Sequence, residues 1–156
     1  MKTNIILLSL AIVLCGCNSI HLQPNSLTPN ATVYTTRGGY TLRPAIKELM
    51  QERGYEIKIG KITDSDNMFE NGIFEGEIFD IPESAQYILR VSEDSERFRP
   101  IWCAFNGFWW WRFYVSIVDQ HNSKEILTWT GRGCANSTIR KMENILDKLE
   151  ETHNEQ

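Results

Sequence analysis

The spacing of hydrophobic and polar positions changes several times along the 156 residues. Ile5 to Leu14 (IILLSLAIVL) is an unbroken apolar run, about half the ~20 residues a bilayer-spanning helix needs. Asn18 to Asn30 is polar, contains Pro24 and Pro29, and shows no sustained period, so it reads as a tether. Ala31 to Thr36 (ATVYTT) is β-branched and aromatic, the composition of a strand, and is stopped by Gly38-Gly39. Leu42, Ala45, Ile46, Leu49 and Met50 then recur at helical spacing, with Thr41 as N-cap and Gly54 as the stop. Tyr55 to Ile62 alternates and predicts one strand, Asp64 to Gly72 a polar loop, Ile73 to Ile81 a further strand, and Ala85 to Val91 another. Ser92 to Arg99 reads as a charged connection. Ile101 to Asp119 is the most aromatic stretch, read as strands either side of a bend at Asn106-Gly107. Gln120 to Lys124 predicts a hairpin loop returning through Glu125 to Gly133. Asn136 or Ser137 caps a final helix carrying Ile139, Met142, Ile145, Leu146 and Leu149.

The order strand, helix, strands, hairpin, helix predicts an α+β fold: a mainly antiparallel sheet with two helices packed on one face. In element order and in the phrase VSIVDQHNSKEILTW, the chain resembles periplasmic domains of envelope-assembly lipoproteins, the penicillin-binding-protein activator group among them, and the amino-terminal domain of TolB. The likeness is one of order and fold, which does not by itself give function.

The amino terminus carries a more specific resemblance. Lys2 precedes the apolar run as a positive n-region, and Leu14-Cys15-Gly16-Cys17 follows it directly. An aliphatic residue, a small residue, Gly and then Cys behind a signal-type apolar segment resembles the lipobox of bacterial lipoproteins. The resemblance implies cleavage before Cys17, a diacylglycerol on its sulfur and a further acyl chain on the new amino terminus. Membership also implies that Asn18, where inner-membrane lipoproteins carry Asp, directs the protein to the inner leaflet of an outer membrane, facing the periplasm. The expected organisation is therefore a signal peptide (1–16), a lipidated Cys17 with its flexible tether (17–30), one periplasmic domain (31–150) and a frayed tail (151–156). The other reading of the first residues is a buried apolar segment with two free thiols.

Composition narrows the partners. Hydrophobic residues are 42% and charged residues 23%, the balance of a globular domain. The formal net charge is −4, and one unit more negative once Lys2 is removed, so no basic footprint for nucleic acid exists. With Cys15 in the signal peptide and Cys17 acylated, Cys103 and Cys134 are left as a pair. In an oxidising periplasm they predict a disulfide; two buried thiols are the alternative.

The search for catalytic chemistry returns little. His21 lies in the tether, His121 in a hairpin loop and His153 in the tail, and no two have zinc-ligand spacing. No metal or other cofactor is expected, and no nucleophile-elbow, phosphate-loop or dinucleotide motif occurs. Arg37-Gly38-Gly39 and Gly131-Arg132-Gly133 read as glycine turns able to present Arg to an anion. Asp64 and Asp66 begin like a calcium loop, but Met68 takes the next ligand position. Glu75 and Glu77 would share one strand face and could act as an acid/base pair.

One feature exceeds this background: Trp109-Trp110-Trp111, flanked by Phe105, Phe108, Phe113 and Tyr114. Successive strand residues point to opposite faces, so three consecutive Trp cannot share one core. Trp109 and Trp111 fall on one face and Trp110 on the other, while Trp102 and Trp129 read as core or hairpin residues. The Trp run is thus the expected partner-binding surface, unless a loop covers it or it contacts lipid headgroups at the anchored end. These readings converge on a non-enzymatic, membrane-anchored accessory domain that docks onto an envelope protein or cell-wall partner. A small cell-wall-modifying hydrolase using Glu75 and Glu77, or a carrier of a lipid or other ligand, is the alternative.

Overall fold

A computed structural model describes residues 18–36, 38–62, 79–80 and 84–150. Among the described residues, eight strands and two helices follow one another as β1 (Ser19–Leu22), β2 (Thr32–Thr35), α1 (Leu42–Glu52), β3 (Glu56–Ile59), β4 (Lys61–Ile62), β5 (Phe79–Asp80), β6 (Tyr87–Phe98), β7 (Trp109–Asp119), β8 (Lys124–Cys134) and α2 (Ala135–Glu150). Six strands form one sheet in the order β1-β8-β7-β6-β2-β3, while β4 and β5 pair separately.

The expected mainly antiparallel α+β sheet is corrected by this pairing: the sheet is mixed. β2 runs parallel to both β3 and β6, whereas β1-β8, β8-β7 and β7-β6 are antiparallel. Parallel neighbours need a crossover long enough to return the chain to the same end of the sheet, and α1 supplies it between β2 and β3. The predicted strand-helix-strand order around 31–62 is itself the signature of such a unit.

Three further departures have physical causes. The predicted strand Tyr55–Ile62 divides at the buried Gly60, with β3 in the main sheet and β4 pairing with β5. The charged stretch 92–98 extends β6 rather than connecting it, because every residue of β7 from Trp109 to Tyr114 finds a partner there, with a bulge between Ser95 and Arg97. Most notably, the stretch read as a tether is folded. β1 pairs with β8 from Ser19↔Thr130 to Leu22↔Leu127. Leu27 is buried, and its N–H donates to the Leu149 carbonyl at 3.2 Å. The Tyr87 hydroxyl donates to the Ser26 carbonyl and accepts from the Thr28 N–H, both at 3.0 Å.

Both helices and one face of the sheet share a single core. Leu42, Ile46 and Met50 of α1 and Met142, Ile145, Leu146 and Leu149 of α2 meet alternate residues of the strands: Tyr87, Leu89 and Val91, then Phe113, Val115 and Ile117, then Leu127 and Trp129. Arg53, just beyond α1, ties it to α2 through Asp147 at 2.7 Å and Glu150 at 2.9 Å.

The start of α1 is capped from a distance. Thr41 makes no side-chain cap bond and the first turn holds no acidic residue. Instead the Glu93 carboxylate, on β6, accepts from the N–H groups of Tyr40 at 2.6 Å, Thr41 at 3.2 Å and Leu42 at 2.6 Å. It thereby satisfies otherwise orphaned donors and places a negative charge at the helix's positive end. The cap needs Gly39 (φ +96): a Cβ there would lie 2.6 Å from the Arg43 Cβ and 2.8 Å from Glu93 Oε1. Glu93→Ala is expected to destabilise the fold by about 1–2 kcal/mol in urea unfolding, the upper range for a lost cap. An unchanged midpoint would show that water replaces the carboxylate at no cost.

Candidate functional site

Because both helices cover one face of the sheet, the alternate residues of β6, β7 and β8 form an open face. On it lie Trp110, Arg112 and Tyr114 of β7, Thr130 and Arg132 of β8 and Glu96 of β6, lining one shallow groove. Trp102 reaches the same groove from the turn that joins β6 to β7. The site is thus a cation-rich, aromatic strip on a sheet whose other side is core.

Glu96 organises it. Its Oε1 accepts a hydrogen bond from Arg112 Nε at 2.8 Å and forms ion pairs with Arg112 Nη2 at 2.7 Å and Arg132 Nε at 3.1 Å. One carboxylate therefore sets two guanidinium planes from neighbouring strands, and both Arg side chains remain exposed. The hydrogen bond from Arg112 holds the Glu96 carboxyl below its ordinary range; burial opposes this, and the charge of Arg132 reinforces it. A depressed folded-state value means the clamp is complete above the unfolded value of about 4.3 and is lost as pH falls through the lower folded one. The prediction is a Glu96 side-chain NMR titration with its midpoint below that of glutamate in the unfolded chain, accompanied by movement of the Arg112 Nε–H resonance. A midpoint at or above that value would remove the clamp.

The expected partner-binding Trp residues separate across the sheet. Trp109 is 43% exposed and stands edge-on to Phe98, with centroids 5.5 Å apart. Trp110 is half-buried in the open-face groove. Trp111, also half-buried, belongs to the alternate set, and its ring N–H is buried without a partner among the described residues. Trp129 is fully buried, whereas Trp102, read as core or hairpin, is 69% exposed. Gly131-Arg132-Gly133, read as a turn, lies within β8, where Gly131 leaves room for the Asn18 side chain and the Phe113 ring.

Cys103 and Cys134 form a disulfide with Cα atoms 5.4 Å apart. It joins the β6–β7 turn to the end of β8, so the expected pairing of the two remaining cysteines is met and the structure shows what the bond fastens. Sequence reasoning missed Arg112, Glu96 and Trp102, since nothing local signals that residues 16 apart will face each other across a strand pair.

Other candidates lie elsewhere. His21 is exposed on β1 and His121 in the β7–β8 hairpin. Cys17, Arg37, Asp64, Asp66, Glu75, Glu77 and His153 lie outside the described residues. Among the described residues no group of three His, Cys, Asp or Glu side chains could hold a metal, and no helix is long and apolar enough to cross a membrane.

No family model matches the chain, and no curated protein matches it in sequence. Among solved structures, it is similar to a variant PelC dodecamer from Paraburkholderia phytofirmans, with TM-score 0.48, 14% identity, and coverage of 86% of this chain and 97% of that one. A second PelC dodecamer from the same organism gives TM-score 0.45 and 13% identity over 86% of this chain and 98% of that one. Likeness at this level assigns neither family nor function.

Proposed function

We propose that the chain is an envelope lipoprotein, acylated at Cys17 and facing the periplasm from an outer membrane, whose domain docks non-enzymatically onto an acidic surface of an envelope partner. The observation that carries this reading is the open sheet face, where Trp110 and Tyr114 stand beside Arg112 and Arg132. Aromatic rings and Arg side chains are the groups that dominate binding energy at interfaces, and the Glu96 clamp fixes two of the guanidinium groups before a partner arrives. An acylated amino terminus would confine the domain near the membrane and raise its effective concentration for a partner there.

The test is site-specific photocross-linking in intact cells, with the photoreactive residue at Thr130 on the open face. One dominant envelope protein is expected to be captured, and Arg112→Glu with Arg132→Glu should reduce capture by more than about tenfold, or 1.4 kcal/mol. Capture that survives charge reversal would reject the groove.

A further inference from the structure

The turn joining β6 to β7 carries a group of large apolar side chains left in solvent. Ile101 is 86% exposed, Trp102 69% and Phe105 93%, with Phe98 and Phe108 beside them at 58% and 48%. Single exposed apolar residues are ordinary, but a contiguous aromatic group on one turn marks a contact surface.

This turn is held open by structure. Phe105 (φ +62) and Phe108 (φ +59) both occupy the left-handed region that bulky residues avoid. They are kept there by bonds on every side. Phe108 N–H and Asn106 N–H donate to the Cys103 carbonyl at 3.2 and 2.8 Å, and Arg99 N–H donates to the Phe108 carbonyl at 2.8 Å. From α2, Asn136 Nδ2 donates to the Phe105 carbonyl at 3.3 Å and Arg140 to Asn106 Oδ1 at 3.0 Å. The disulfide fastens Cys103 to Cys134 beneath them. Strain that surrounding contacts maintain is a sign of use rather than accident.

We infer that this turn is a second membrane contact, inserting Ile101, Trp102 and Phe105 into the headgroup layer of the bilayer that carries the acyl anchor. The inference rests on the proposed acylation of Cys17, and sheet register supplies the geometry. β1 is antiparallel to β8, so the chain before Ser19 runs toward the Cys134 end of β8. The Asn18 side chain lies against Gly131. From there Cys134, and with it the turn, is three residues along the strand, about 10 Å, while Cys17 is one peptide unit, about 3.8 Å, from Asn18. With β1 starting two residues after Cys17, an acylated Cys17 brings this end of the sheet to the lipid surface without an intervening tether. Arg97 and Arg99 at the base of the turn, and Arg140 beside it, provide cations for lipid phosphates, with Trp at the depth where aromatic residues settle.

The experiment uses the unlipidated chain from Asn18 to Gln156, which keeps every strand of the main sheet and the whole core. It is floated with vesicles of phosphatidylethanolamine and phosphatidylglycerol. The chain is expected to rise with the vesicles. Combined Ile101→Ser, Trp102→Ser and Phe105→Asn should reduce the bound fraction by more than about tenfold, or 1.4 kcal/mol. The thermal midpoint should hold, because all three side chains are exposed and Asn tolerates the left-handed φ of residue 105. A wild-type chain that stays unbound, or a triple variant that floats equally well, overturns the inference. A stable dimer in light scattering that becomes monomeric in the triple variant also overturns it, making the turn an interface between copies. Palmitate labelling of the full chain and of Cys17→Ala tests the anchor separately: vesicle binding without labelling would discard the anchor and leave the turn standing.

Discussion

Trp129→Ala is expected to lower the unfolding free energy by about 3–5 kcal/mol, measured by urea denaturation. Trp129 is 0% exposed and sits on β8 between Val115 of β7 and Ile20 of β1. Its ring meets Phe113 edge-on at 4.4 Å, and the Lys141 amine lies 5.7 Å from its centroid. Removing it therefore opens a cavity where three strands and α2 meet, and the rigid sheet can close only part of it. Part of the loss is offset, because the Trp129 ring N–H is buried without a partner among the described residues, an arrangement that costs about 1–3 kcal/mol. Trp129→Phe removes that donor while keeping a ring against Phe113, so it should cost far less, about 1 kcal/mol. If the two variants were equally destabilised, the ring contact with Phe113 would contribute nothing.

Removing the disulfide is expected to have a comparable effect. Cys103 and Cys134 are 31 residues apart, and closing a loop of that length restricts the unfolded chain by about 3.5–4 kcal/mol in the chain-entropy model. The loop contains all of β7 and nearly all of β8, so the bond ties the outer end of the hairpin to the turn before it. Changing both residues to Ala, which leaves no lone thiol, should lower the urea midpoint accordingly. It should also raise amide exchange at Asn106 and Phe108, whose N–H groups bond to the Cys103 carbonyl. A loss under about 1 kcal/mol would mean that Asn136 and Arg140 hold the turn without the bond.

The elements that sequence made legible are those whose burial repeats locally. In α1, Leu42, Ile46 and Met50 face the core at helical spacing, and in α2 Met142, Ile145, Leu146 and Leu149 do the same. The β7–β8 hairpin was legible from alternation around a polar loop, and the separation of Trp110 from Trp109 and Trp111 followed from the strand period alone. The pairing of Cys103 with Cys134 followed from the fate of the other two cysteines.

What tertiary structure decided is everything set by partners distant in the chain. Ser19 to Leu22 alternates polar and apolar residues over only four positions, too short a run to separate from the polar segment around it; it becomes a strand because β8 presents an unpaired edge. The position of β2 between β3 and β6 depends on where α1 lands and where β6 docks, which local spacing cannot say. Thr41 was the legible cap, yet Glu93 from another element takes the role, since a carboxylate aimed at three N–H groups outcompetes a hydroxyl. Trp102 is as apolar as Trp129, and only the fold puts one on an exposed turn and the other in the core. Hydrophobicity favours removal of a side chain from water but does not determine which surface will cover it. That choice belongs to the packed chain as a whole.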